Sequence, residues 1–236
     1  MYYFSFNGVE SSEFGVWLER EPEIINGNIR AETQTVIGSS KVLHFIEGDD
    51  AMDPVGISLD CCVANVDDDT LTEILAWLRG SGDLVTDYDP GHCYRSAMIT
   101  NQIPLTRVFR NMRGYKFTVE LEAEAHRYFY PAYAPITMTV AGRLTNPGTA
   151  PAEPLIKLNG SGDINLMIGE STLMIDDVDG YVMIDCDAQI VYKGTDNLGA
   201  SVTRTGLWPV IPPGGCNISW SGTVTSLEIT PRWRDY

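Results

Sequence analysis

The sequence predicts a mainly β protein in two parts: an N-terminal β domain carrying one helix, and a C-terminal β-sandwich. Three patterns carry the prediction. Lys116–Ala123 alternates polar and apolar residues, the signature of a half-buried strand. A single amphipathic segment with start and stop signals lies at about residues 69–79. After Pro154, short apolar runs recur between Gly, Asn and Asp turn residues, as in a sandwich.

The first strand is Tyr2–Phe6, ended or turned by Asn7-Gly8, a dipeptide suited to left-handed turn positions. Further β-like runs follow at Lys41–Glu47, Val55–Val63 and Arg95–Ile99. In Lys116–Ala123 the side chains of Phe117, Val119, Leu121 and Ala123 share the inner face. The helix begins at Asp67-Asp68-Asp69, whose carboxylates suit an N-cap and a first turn. Its apolar stripe is Leu71, Ile74, Leu75 and Leu78, and Gly80 stands at the C-cap position. A lone helix beside several strands is expected to pack on a sheet or barrel.

Phe129–Pro154 is rich in Pro, Ala, Gly and Thr and predicts a boundary, giving domains of 1–135 and 136–236. The second domain is expected to hold short strands at Leu155–Leu158, Ile164–Ile168, Leu173–Ile175, Tyr181–Asp185, Ile190–Tyr192 and Ile218–Ser221. Asp179-Gly180 reads as a two-residue hairpin loop, which would set Ile175 opposite Ile184, Leu173 opposite Cys186 and Asp177 opposite Val182. The segment from about 226 to 236 finishes the sandwich or returns to the first domain.

Composition narrows the function. With 44% apolar and 20% charged residues the chain is globular. A net charge of −16 argues against sequence-specific nucleic-acid binding, which needs clustered cations to displace counterions. No apolar run approaches the length that spans a bilayer, and no signal-peptide pattern opens the chain, so neither membrane insertion nor export is expected. Cys61, Cys62, Cys93, Cys186 and Cys216 have neither disulfide-framework nor zinc spacing, which predicts buried, reduced thiols of a protein made in a cytoplasm.

Chemistry-bearing motifs fail one by one. Asp177-x-Asp179-Gly180 would put Ile175 and Cys186 at the first and last positions of a calcium loop, where carboxylates are required. Gly160-Ser161-Gly162 lacks the third glycine and the helix of a dinucleotide fingerprint, leaving a turn or bulge. His44, His92 and His126 accompany no serine elbow, and His92 and Cys93, adjacent on a strand, point to opposite faces. The tryptophans Trp17, Trp77, Trp208, Trp220 and Trp233 fit core or interface positions better than sugar platforms. These motifs assign no catalytic residue, metal or cofactor; a carboxylate pair of the kind that hydrolyses glycosides stays open, because its spacing in three dimensions is not visible in the sequence.

Charge is unevenly distributed. Residues 47–90 hold twelve Asp/Glu and one Arg, a net −11, whereas 91–116 hold five Lys/Arg and no acid, a net +5. Two solvated faces of one domain would account for this. A ring would use the same asymmetry head to tail, with Arg107, Arg110, Arg113 and Lys116 of one subunit against the acidic face of the next.

Several segments together carry a family resemblance. They are Phe4-Ser5-Phe6-Asn7-Gly8 with Phe14-Gly15-Val16, Trp77-Leu78 before Gly80 and Leu84, and Asn146-Pro147-Gly148-Thr149. Gly160-x-Gly162-Asp163-Ile164, Pro212-Pro213-Gly214-x-x-Asn217 and Ile229-Thr230-Pro231-Arg232-Trp233-Arg234 complete the set. In this order, over nearly the whole chain, they resemble the distal tail proteins of long-tailed bacteriophages and prophages. The resemblance implies a split-barrel-like N-terminal domain forming a hexameric ring and a galectin-like C-terminal sandwich projecting outward. It implies a virion tail-tip location, with the tail tube and tape-measure proteins on one side. On the other would lie the hub or tail-associated lysin, with receptor-binding or baseplate proteins held outside. It implies no catalytic residues and no cofactor. The competing expectation is a carbohydrate-binding module or adhesin contacting host-surface glycans.

Overall fold

In a computed structural model that describes residues 1–46, 48, 50–108 and 113–236, the chain divides into two units. One is Met1–Tyr130 with Tyr236, the other Pro131–Asp235. Among the described residues no helix is long and apolar enough to cross a membrane.

The first unit starts with β1 (Phe4–Phe6) and β2 (Val9–Glu10), joined at Asn7-Gly8 with φ of 52° and 78°. Both turn residues are left-handed, as a type I′ loop requires. β3 (Val16–Leu18), the ribbon β4 (Ala31–Thr35) and β5 (Val42–Ile46), and β6 (Val55–Val63) follow. After helix α1 (Asp68–Trp77) come β7 (Ser81–Thr86), β8 (His92–Ile99), β9 (Thr106–Arg107), β10 (Tyr115–Ala123) and β11 (Arg127–Phe129).

The main sheet runs β2-β1-β7-β8-β10-β6-β3. Tyr2 bridges Leu18 of β3, so the sheet curls back toward its own first strand. Its centre is the β6–β10 pair, where Phe117, Val119, Leu121 and Ala123 lie opposite Cys61, Leu59, Ile57 and Val55. All eight are buried, while Lys116, Glu120 and Glu122 face outward. The alternation of β10 thus acts on both strands at once.

Asp67 caps the helix by accepting the Thr70 N–H at 2.8 Å, a bond of the kind that contributes about 1 kcal/mol. The same bond is the main cause holding the Asp67 carboxyl below its ordinary range. Ile74 and Leu78 are buried against the sheet. Trp77 stacks on Phe4 at 5.4 Å, touches Phe14 at 5.0 Å and donates its indole N–H to the Phe6 carbonyl at 3.1 Å. The helix ends sooner than its stop signal suggests. Leu78 is the C-cap, and Gly80 takes its positive φ of 80° in the chain leading into β7.

The second unit contains β12 (Ile136–Met138), β13 (Gly142–Leu144), β14 (Leu155–Ile168) and β15 (Ser171–Asp185). They are followed by β16 (Ile190–Lys193), β17 (Asp196–Asn197), β18 (Val202–Thr205), β19 (Cys216–Thr230) and β20 (Arg234–Asp235). The sheet order is β12-β19-β14-β15-β16-β17, with β13 on β19 and β18 on β15. Leu227 and Ile229 belong to β19 and are buried in this unit.

Here the structure corrects the sequence reading. Asp179-Gly180 is not a hairpin loop: β15 runs straight through it, with Asp179 opposite Ser161 and Gly180 opposite Gly160. The reversal lies at Gly169-Glu170, where Ile168 pairs Ser171 and Gly169 has φ 58°. Consequently Ile175 faces Ile164 and Leu173 faces Leu166. The glycines and acidic residues that read as turns between short strands are bulges within long ones. Asp176 and Asp177 share the gap opposite Asp163, which accepts the Asp177 N–H at 3.1 Å. Asp177 takes φ 53°, Gly162 73° and Gly222 100°. The bulge shifts the phase of burial, from Leu173 and Ile175 to Val178, Val182 and Ile184, so the inner face stays apolar while the strand bends. A turn dipeptide states only that a positive φ is tolerated, and Gly180 takes its φ of 79° inside a continuous strand.

At the end of β15, Arg232 grips Asp185 with both guanidinium branches, at 2.7 and 3.0 Å. That grip is the principal reason the Asp185 carboxyl sits below its ordinary value of 3.8. A depressed folded-state carboxyl contributes stability above its unfolded pKa and loses it as pH falls through the folded value. Below about pH 4 the thermal midpoint of the wild type should therefore drop more steeply than that of Asp185→Asn. Parallel midpoint–pH curves would show that this pair does not report on folding.

Candidate assembly surface

β4 and β5 form a ribbon of their own, with Glu32 opposite Phe45, Thr33 opposite His44 and Gln34 opposite Leu43. All ten residues are exposed, including Val42, Leu43, Phe45 and Ile46 at 47%, 48%, 51% and 60%. A two-stranded ribbon is marginal in water without a covered face, and apolar side chains grouped on an exposed element mark a contact surface. At the ribbon's root lies a cleft of about 740 Å³ lined by Asn28, Ile29, Ala31, Thr33, Asp50 and Met52, among others. The sequence reading found β5 but not its exposure. The sequence does not show it: Val42–Ile46 is a short apolar run that does not alternate, a pattern equally consistent with a strand buried on both faces.

Of the basic residues singled out from the charge pattern, Arg107, Arg113 and Lys116 lie on β9, just before β10 and on β10. Arg107 is on β9, opposite Tyr115, and Lys116 is opposite Thr106. Arg113 pairs with Asp68 of the helix at 3.1 Å, both side chains more than half exposed. Lys116 forms an ion pair with Glu19, whose Oε1 also accepts the Cys62 thiol at 2.8 Å. The thiol bond and then the ammonium hold the Glu19 carboxyl below its usual range, and the Lys116 ammonium is raised in turn. Arg110 lies outside the described residues. Among the described residues, an ion pair thus already joins the acidic and basic segments within the chain, at Asp68 and Arg113. Such exposed pairs contribute only about 0–1 kcal/mol and exchange readily for pairs with another molecule.

The residues weighed for chemistry hold structural positions. His92 Nδ1 is 2.7 Å from Asp89, which also binds Arg127 at 3.0 Å. His126 packs 3.3 Å from Asp50, and His44 contacts Thr33 on the ribbon. Cys93 is buried on β8 and His92 is partly buried. All five cysteines are free and buried. Burial is the first cause raising their thiols, Cys62 and Cys93 to about 11 and Cys186 to about 12, which removes the thiolate needed for nucleophilic attack. Among the tryptophans, Trp233 is buried, and Trp17, Trp77, Trp208 and Trp220 are partly so.

No protein-family model and no curated protein sequence matches the chain. Solved structures do. The crystal structure of SPP1 Dit (gp 19.1), described as a paradigm of the hub adsorption apparatus in Gram-positive infecting phages, superposes with a TM-score of 0.70. It does so at 12% identity, over 97% of this chain and 98% of that one. The chain has the Dit fold. A chain of the phage p2 baseplate in its activated conformation superposes over 97% of this chain and 96% of that chain, with a TM-score of 0.50 and 8% identity. The Dit match spans both units, the curled sheet with its helix as well as the long-stranded sheet after Tyr130.

Proposed function

We propose that this chain is a distal tail protein: a structural component of a phage tail tip that closes into a hexameric ring. The ring joins the tail tube and tape-measure protein to the tail-tip hub or tail-associated lysin, and carries receptor-binding or baseplate components outside. The protein is made in the bacterial cytoplasm and resides in the virion. It acts by holding neighbours in place, not by catalysis. One observation carries this reading, the end-to-end likeness to SPP1 Dit, which includes both units and leaves almost none of either chain unmatched.

The exposed ribbon supports the ring. Its apolar strand needs cover that its own unit does not supply, and a second copy reached head to tail closes a ring by repetition. Arg107, Arg110, Arg113 and Lys116 then form the charged rim of the contact, steering it and adding salt dependence more than affinity. The net charge of −16 suits a ring through which DNA passes without adhering.

Electron microscopy of virions labelled with antibody should place the protein in a six-fold ring at the tail tip; label elsewhere on the particle overturns the proposal. The paired change Leu43→Asp with Phe45→Asp should abolish the ring while leaving the circular dichroism spectrum intact, because both side chains are exposed. Charge reversal of Arg107, Arg110 and Arg113 to Glu should shift assemblies toward monomers, and an unchanged mass in light scattering removes the rim from the interface.

A further inference from the structure

Beyond the ring, the second unit carries a small built site. A cavity of about 280 Å³ is lined by Asp185, Ile190, Tyr192, Gly194, Thr195 and Asn197. Its polar groups are held in advance. Asp185 is clamped by Arg232 and by the N–H groups of Asp187 and Ala188, both at 3.2 Å. The two backbone N–H groups go to its Oδ1, whereas its Oδ2 accepts from one branch of Arg232, which leaves a lone pair there for a hydroxyl donor. The Asn197 Oδ1 takes the Gly199 N–H at 2.8 Å, leaving its amide N–H groups as the donors on offer.

Tyr192, which lines the cavity, stands in register with a row of residues across the same sheet. Tyr192 is opposite Met183, which is opposite Lys157, which is opposite Glu228; the next row is Tyr181, Asn159 and Ser226. Glu228 takes Lys157 and the Asn159 amide, each at 3.1 Å. Lys157 and Lys193 stand 5.9 and 5.7 Å from the Tyr181 ring. Each of these cations has an opposite partner: Lys157 with Glu228, Lys193 with Asp179, Arg232 with Asp185. Arg232 also lies 3.5 Å from Asp187, so none of these three cations is left over to attract an anionic ligand. A fixed carboxylate and a fixed amide beside an aromatic ring suit a ligand with adjacent hydroxyls and an apolar C–H face.

We propose that this cavity binds one ring of a neutral saccharide, with a hydroxyl donating to Asp185 Oδ2, a neighbouring hydroxyl accepting from Asn197 Nδ2, and the sugar's C–H face against Tyr192. The sheet face with Lys157, Asn159 and Tyr181 receives the following residue of a longer chain. The proposal stands on the second unit alone and does not depend on the ring.

Saturation-transfer NMR on the full-length protein tests it, using methyl glycosides of glucose, galactose, N-acetylglucosamine and rhamnose, with oligomeric glycerol phosphate as the anionic comparison. At least one neutral glycoside should receive saturation, and Tyr192→Ala and Asn197→Ala should each weaken its binding about tenfold. Asn197→Asp keeps the shape and replaces the amide donor by a charged acceptor, so it should weaken binding with an unchanged thermal midpoint even if an alanine variant misfolds. Asp185 is left intact because Arg232 depends on it. No transfer to any neutral glycoside, equal transfer in the variants, or binding of glycerol phosphate alone overturns the proposal. So does a variant that binds sugar like the wild type while losing a tail protein, which would make the cavity a protein contact.

Discussion

Replacing Gly215 by alanine is expected to cost about 3–5 kcal/mol and to lower the thermal midpoint by roughly 6–20 °C. Gly215 has φ 87°, and a Cβ there would stand 1.9 Å from the Leu144 carbonyl oxygen and 2.6 Å from the Thr145 Cα. Both obstacles are backbone. Leu144 belongs to β13 and is in register with Cys216 of β19, so neither strand can retreat without breaking the pairing that places it. Arg143 tightens the approach by donating to the Gly214 and Gly215 carbonyls at 2.9 and 3.2 Å. The neighbouring glycine supplies the control. Gly214 has φ 77°, but a Cβ added to it would meet nothing within 4 Å, so Gly214→Ala should cost only the left-handed strain, about 1–2 kcal/mol. Differential scanning calorimetry of the two variants separates crowding from strain; equal losses would mean that the close approach to β13 carries no weight.

Asn146→Ala should be nearly as damaging, by about 3–4 kcal/mol. The side chain is 2% exposed. Its amide donates to the Ala150 and Ile211 carbonyls at 3.0 and 2.9 Å, and its Oδ1 accepts the Gly148 N–H at 2.8 Å. Alanine removes all three bonds and leaves buried polar groups without those partners, which costs more than the bonds themselves contribute. Asn146→Asp is the sharper variant. At neutral pH it sets a carboxylate oxygen against two carbonyls, so it should destabilise at least as much as alanine and recover partly on acidification, when a protonated oxygen can donate. Urea unfolding at two pH values reads both effects. A loss below about 1 kcal/mol for Asn146→Ala would show that water replaces the side chain.

Both positions lie in segments that the sequence marks for another reason, as pieces of a family pattern: Asn146-Pro147-Gly148-Thr149 and Pro212-Pro213-Gly214-x-x-Asn217. Folded, the two segments meet. The Asn146 carbonyl accepts the Gly214 N–H at 3.1 Å while its side chain reaches Ile211. What reads along the chain as a link and a distant turn is one hydrogen-bonded junction, and the Gly148 Cα is pressed so close to the Arg234 carbonyl that a Cβ would lie within 2.3 Å of that oxygen.

What the sequence determined by itself is whatever depends on neighbours along the chain. The Asn7-Gly8 turn, the Asp67 cap, the Ile74–Leu78 stripe and the inner face of β10 are set by local φ preference, by short-range hydrogen bonds and by side-chain period, all of which act within a few residues. Tertiary structure decided the rest, because a partner strand far along the chain chooses among local options that are nearly equal in energy. Asp179-Gly180 suits a hairpin loop by local preference, and only the length of β14 beside it makes β15 continue, with Gly180 at positive φ inside the strand. Arg113 could have faced a neighbour, and the fold sets Asp68 beside it. Val42–Ile46 reads as a buried strand as readily as an exposed one, and only the folded first unit leaves it exposed, on a two-stranded ribbon.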